Sequence, residues 1–208
     1  EAQNHQLMLL HGAQGKGKST FVRHLLPPEL KDYYRNGMIS PDNKDHLLQM
    51  SSCLLINLDE FDTLSPARMQ ELKSLITQDV MNERKVYDIQ NYTFIRRASF
   101  IASTNNPHCL PDIGENRRIL FNTLLEIDYH TPVNHQGIYA QAYALYRQGF
   151  QYWYENQEIT FLNNRNEAFR QKDPLEENLF FYFRAARPND IQAQWYPASY
   201  LLSVLSMN

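Results

Sequence analysis

Short unbroken apolar runs alternate along this chain with longer stretches in which apolar residues recur every three or four positions. "HQLMLLHG" (5–12) and "SCLLINLDE" (52–60) are runs closed by a glycine or by two acids, the pattern of strands buried on both faces. "TFIRRASFIAST" (93–104) reads as one or two strands ahead of "NNP", and "RRILFNTLLEI" (117–127) as another. "STFVRHLL" (19–26) predicts a helix stopped by Pro27 and Pro28, whose rings cannot continue it. Residues 29–50 read as a short helix, a turn at Asn36-Gly37 and a helix near "KDHLLQM". "SPARMQELKSLIT" (65–77) begins with Ser65 as N-cap and Pro66 in the first turn, and sets Met69, Leu72, Leu75 and Ile76 on one face. From about residue 136 the pattern is helical, through "QGIYAQAYALYRQGFQYWYE", "FLNNRNEAFRQ", "PLEENLFFYF" and "ASYLLSVLS". Strands alternating with helices, then helices alone, predict a three-layer α/β core with a mostly parallel sheet and an α-helical C-terminal extension. The boundary is expected between 1–130 and 131–208.

Composition narrows this picture. The chain has 208 residues, 43% of them hydrophobic, enough for a substantial core. A net charge of −3 excludes a broadly basic surface, so any nucleic-acid contact must be local. Cys53 and Cys109 have no paired spacing, which points away from a metal cluster or disulfide framework and toward a reducing, cytoplasmic setting. No apolar run approaches the roughly 20 residues that cross a bilayer. The first strand begins a few residues after Glu1, so a piece of a longer protein is expected. None of the seven histidines has metal-ligand spacing, and His11 reads as a strand-end residue. The aromatics between Tyr139 and Tyr154 are expected to pack, and "FFYF" (180–183) to form a core helix or an interface.

The chemistry begins at "GAQGKGKST", residues 12–20, which matches G-x-x-x-x-G-K-[ST] without a gap. Glycines let the backbone N–H groups of Gly12, Ala13, Gln14, Gly15, Lys16, Gly17, Lys18, Ser19 and Thr20 curl around phosphates. Lys18 would reach the β- and γ-phosphates and Ser19 would ligate Mg²⁺. A hydrolysis site also needs its metal and its attacking water placed. At the end of "LLINLDE", Asp59 is the expected Mg²⁺ ligand and Glu60 the general base, with Asp62 in a loop or cap role. "SFIASTNN" ends a strand in Asn105, the expected contact to the γ-phosphate or water, with Asn106 as its alternative. "GENRR" supplies Arg117 and Arg118, one of which would act as an arginine finger on a neighbouring subunit. Five basic residues, Lys73, Arg84, Lys85, Arg96 and Arg97, with Tyr87, Tyr92 and Phe94 interleaved, fit either single-stranded DNA or a salt-bridged hairpin and a solvated helix face.

Together "HGAQGKGKSTFVRHLLP", "LLINLDEFDTLSPARMQELKSLIT", "RRASFIASTNNPHCLPD" and "GENRRILF" resemble the virulence-associated protein E family. More distantly they are similar to superfamily III helicase ATPases and poxvirus-type primase-helicases, over roughly residues 5–150. The resemblance implies a P-loop ATPase core of the ASCE type, in a ring, often hexameric, that translocates on single-stranded DNA during replication of phage or mobile elements. It also implies ATP and Mg²⁺ as cofactors and a DNA-channel segment within residues 72–97, although the channel residues of those helicases have no residue-by-residue match here. "WYPASYLLSVL" resembles the opening helix of a winged-helix-like domain. Two other functions use the same motifs: a phosphate-loop kinase or small-molecule NTPase, and a nucleotide-gated switch or assembly module.

Overall fold

The computed structural model describes residues 4–84, 91–110, 116–171, 174–187 and 189–206. In chain order the elements are β1 (Leu7–His11), α1 (Lys18–Arg23), β2 (Tyr34–Asn36), α2 (Lys44–Ser52), β3 (Leu55–Leu58), α3 (Pro66–Thr77), β4 (Val80–Arg84), β5 (Asn91–Ile95), β6 (Ser99–Thr104), β7 (Ile119–Thr123), α4 (His135–Arg147), α5 (Asn156–Asn166), α6 (Pro174–Tyr182) and α7 (Ala198–Ser206). Five strands form one sheet in the order β2-β3-β6-β1-β7, every pair parallel. Parallel strands buried on both faces require continuous apolar runs, and Leu7, Leu9, Ile56, Leu58, Phe100, Ala102, Ile119 and Phe121 meet that demand in one core. The fold is therefore α/β with a parallel sheet, as the alternating pattern implies.

Register sets which strand ends meet. Leu10 lies beside Ser103 and His11 beside Thr104, while Leu58 pairs with Ala102. The C-terminal ends of β1, β3 and β6 thus lie at one edge, where open α/β sheets hold ligands. α3 is anchored as its sequence predicts. Ser65 Oγ accepts a hydrogen bond from Arg68 N at 3.4 Å, and Met69, Leu72, Leu75 and Ile76 are all buried, each worth about 1.5–3 kcal/mol.

Three parts of the sequence pattern depart from expectation. β2 and β4 carry too few apolar residues to register as runs; β2 is a half-buried edge strand, and β4 pairs antiparallel with β5 as a separate hairpin. The chain divides into two compact units, Glu1–Arg170 and Gln171–Asn208. Residues 131–170 thus belong with the sheet, because buried Asn166 donates from Nδ2 to Asn116 O and Ile119 O, both at 2.9 Å, and Phe169 stacks on Phe121 at 3.8 Å. The expected packing of the aromatics between Tyr139 and Tyr154 is also corrected for four of them. α4 buries no residue, and Tyr143, Tyr146, Phe150 and Trp153 are each at least half exposed. In the second unit Phe180 and Phe181 are 68% and 80% exposed, so "FFYF" is not a core segment of this chain.

Candidate functional site

The segment Gly12–Gly17 leaves β1 and turns into α1, with Gly15 at φ 78° and Gly17 at φ 81°. Those left-handed torsions suit glycine and would strain other residues. The loop folds around Lys18, which is 8% exposed. Its Nζ donates to Gly12 O at 2.6 Å, Ala13 O at 3.0 Å and Asn105 Oδ1 at 2.8 Å. Burial pulls the Lys18 ammonium below its ordinary pKa, and the nearby Asp62 and Asp59 oppose that shift.

Across from the loop, Asp59 ends β3 and collects three hydrogen bonds on Oδ1. The donors are Ser103 Oγ at 2.8 Å, Asn57 Nδ2 at 2.9 Å and Ser19 Oγ at 3.2 Å. Partial burial pushes its pKa up, but hydrogen bonds from Asn36, Ser103, Asn57 and Ser19 outweigh burial and hold it below the usual carboxylate value. Asp59 is thus a fixed anion at neutral pH, already touching the serine of the loop. Glu60 follows with φ 56°, ψ 41°, a left-handed conformation that costs a non-glycine residue roughly 1–2 kcal/mol. Its carbonyl is clamped by Thr63 N at 2.9 Å and Thr63 Oγ1 at 2.8 Å. Its exposed carboxylate borders the same cavity.

That cavity, about 640 Å³, is lined by Gln14–Thr20, Asp59, Glu60, Asp62, Thr63, Ser103–Asn105 and Tyr129. Sequence reasoning left five of its residues out of the site, Asp62, Thr63, Ser103, Thr104 and Tyr129. Ser103 supports Asp59, and its place one residue before the strand tip is a signal that the "SFIASTNN" pattern carries. Asp62, expected as a loop or cap residue, accepts from Thr104 Oγ1 at 3.0 Å and lies near Lys18. Tyr129 comes from an irregular segment after β7, where no periodic signal exists.

Other expected residues lie elsewhere. Asn106 turns away from Lys18, its N–H donating to Thr104 Oγ1 at 3.0 Å and its Oδ1 accepting from His108 N at 2.9 Å. His11 stacks on Phe121 at 5.7 Å, and burial with the Lys18 charge lowers its pKa, so it is a neutral strand-end ring. Both cysteines are free and buried, and burial raises Cys109 to about 11. Arg117 and Arg118 precede β7, at the opposite edge of the sheet, roughly 16 Å of strand away. They line a different cavity of about 580 Å³ with Asp79, Tyr152 and Trp153.

The basic segment separates into unlike parts. Lys73 is 2% exposed on the buried face of α3, and Arg96 is 1% exposed; from there neither guanidinium nor ammonium reaches a nucleic-acid backbone, which corrects both assignments. Arg97 is exposed, and Lys85 and the side chain of Arg84 lie outside the described residues. Arg96 is a structural cation. It donates to Ala98 O at 2.6 Å, Asn4 O at 2.9 Å and Gln78 O at 3.0 Å, with Asp79 at 3.9 Å and its guanidinium 5.6 Å from the Phe100 ring. Arg96→Ala strands three carbonyls and is expected to lower unfolding stability by about 3 kcal/mol, read as a fall in denaturant midpoint. Arg97→Ala is expected to leave that midpoint within ~0.5 kcal/mol.

No helix of the described residues is long and apolar enough to cross a membrane. No curated protein matches the chain. Among solved structures, it is similar to an apo structure of the NrS-1 C-terminal region (305–718), at 16% identity and TM-score 0.46, covering 80% of this chain and 36% of that one. It is also similar to an A-form apo structure of the NrS-1 C-terminal region, at 19% identity and TM-score 0.41, with 80% and 36% coverage. The chain thus spans about a third of the length of those chains. The family model for the virulence-associated protein E-like domain matches residues 2–171, most of the chain and all of the cavity just described, and the chain belongs to that family.

Proposed function

We propose that this chain is a Mg²⁺-dependent ATPase domain with a P-loop NTPase core. One observation carries the reading: Ser19 Oγ and Asp59 Oδ1 stand 3.2 Å apart, beside a Lys18 ammonium held by the loop and by Asn105. A serine, an aspartate and a lysine converge there although 40 or more residues separate Asp59 from the other two.

The roles follow from placement. Loop N–H groups and Lys18 bind and orient the phosphates. Ser19 and Asp59 would hold Mg²⁺, which when bound neutralises phosphate charge. Among the described residues no group of three His, Cys, Asp or Glu side chains could hold a metal, and nucleotide-bound Mg²⁺ needs only one or two protein ligands because phosphates and water supply the rest. Glu60 accepts the proton of the attacking water. Asn105, already bonded to Lys18, orients that water or the terminal phosphate. Arg117 and Arg118 lie at the far end of β7 from this cavity, a placement that suits an arginine finger acting on the cavity of a neighbouring copy. Such a head-to-tail contact closes into a ring when its rotation permits. The family resemblance extends this to a DNA-associated motor, for which Arg97 and the β4/β5 pair are the remaining candidates among the described residues.

Phosphate release from ATP tests the reading. It is expected to require Mg²⁺, to stop on chelation, and to fall at least tenfold in Asp59→Asn, which keeps the shape but loses the charge. Release that persists without Mg²⁺ would contradict it.

A further inference from the structure

The sheet order gives the cavity a direction. Asp59 and Glu60 follow β3, two strands from β1 on one side, whereas the segment after β7 adjoins β1 on the other. A nucleotide with its terminal phosphate among Asp59, Glu60 and Asn105 therefore extends its other end toward the segment after β7.

An aromatic ring stands there. Tyr129 lines the cavity and packs so closely on Gly17 that a Cβ added to the glycine would lie 2.1 Å from Tyr129 Cδ1. His130 backs it, with ring centroids 4.2 Å apart at 38°. The segment is fastened along its length. Leu124 N donates to His11 O at 2.8 Å, and His135 Nε2 meets His24 O at 2.7 Å. Between them the Asp128 carboxylate accepts from His130 N at 3.1 Å, Thr131 N at 3.0 Å and Thr131 Oγ1 at 2.6 Å. The segment that carries Tyr129 is thus fastened at Leu124 before it and at His135 after it, which holds the ring at the cavity wall so that it can stack without being ordered first.

We propose that Tyr129 is the nucleobase platform of this site, stacking on the base of the nucleotide and making the cavity select a nucleoside triphosphate over a bare polyphosphate chain. The proposal rests on the ATP reading above. Stacking is sequence-tolerant, so the platform favours a base over none rather than one base over another.

Binding of Mg-ATP and of Mg-tripolyphosphate to the wild type, Tyr129→Phe and Tyr129→Ala separates the possibilities. The wild type is expected to bind ATP more tightly than tripolyphosphate. Tyr129→Ala is expected to lose roughly tenfold or more in ATP affinity with tripolyphosphate unchanged, and Tyr129→Phe to keep both. ATP affinity unchanged in Tyr129→Ala would overturn the platform. Tighter binding of both ligands would make the ring a plug, and equal weakening of both would reduce it to a support for Gly17; either result overturns the proposal. A wild type that binds neither ligand would overturn the ATP reading itself, and the platform with it.

Discussion

Lys18→Ala is expected to leave a folded protein whose affinity for Mg-ATP has fallen by two to three orders of magnitude. Lys18 is nine-tenths buried, and three oxygens fix its ammonium in the loop that, on the ATPase reading, would wrap a phosphate chain. A charge pair about 4 Å apart at the effective dielectric of a protein surface is worth ~4 kcal/mol, close to three decades in binding. The effect on stability is smaller, because the carbonyl of exposed Ala13 regains water when the ammonium goes and only the buried Gly12 carbonyl is left without its partner. About 1 kcal/mol is the expected loss. Isothermal titration with Mg-ATP beside a denaturation curve measures both. Affinity within threefold of the wild type would mean that the loop binds something other than phosphate.

The second large effect is at Glu60. Glu60→Gln keeps size and backbone torsion but loses the charge and cannot take a proton, so turnover is expected to fall by roughly 10²–10⁴ while ATP affinity stays within about threefold. Glu60→Gly gives the companion result. Its φ of 56° is strained for glutamate and free for glycine, so this variant is expected to lose turnover equally yet gain up to about 1 kcal/mol in stability. An inactive but more stable variant is what backbone strain at a working residue implies. A loss of stability in Glu60→Gly would show that the carboxylate holds the fold together instead.

The two arms of the site differ in how far sequence alone exposed them. Gly12 to Thr20 and Asp59-Glu60 were legible because each lies at the end of a strand buried on both faces, where an unbroken apolar run marks the strand and the next polar residue marks its tip. Asn105 was legible for the same reason on β6, and the structure sets it 2.8 Å from Lys18. Asp62 and Tyr129 were not, since one sits on a short turn and the other in an irregular segment, where position follows from tertiary anchoring and not from periodicity. The basic segment misled for a different reason. Charge in a sequence says nothing about burial, and Arg96 spends its guanidinium on three backbone carbonyls, with Asp79 beside it, inside the unit. The exposed α4 aromatics make the converse point: their number suggested packing, but α4 buries none of its residues.

Phosphate released per chain under saturating Mg-ATP, followed through many turnovers for the wild type and Glu60→Gln together, tests the central claim most directly. The ATPase reading predicts many phosphates per wild-type chain and at most about one per Glu60→Gln chain over the same time, with ATP bound to both. Tight ATP binding with only stoichiometric release from the wild type, or equal release from the two proteins, would contradict it.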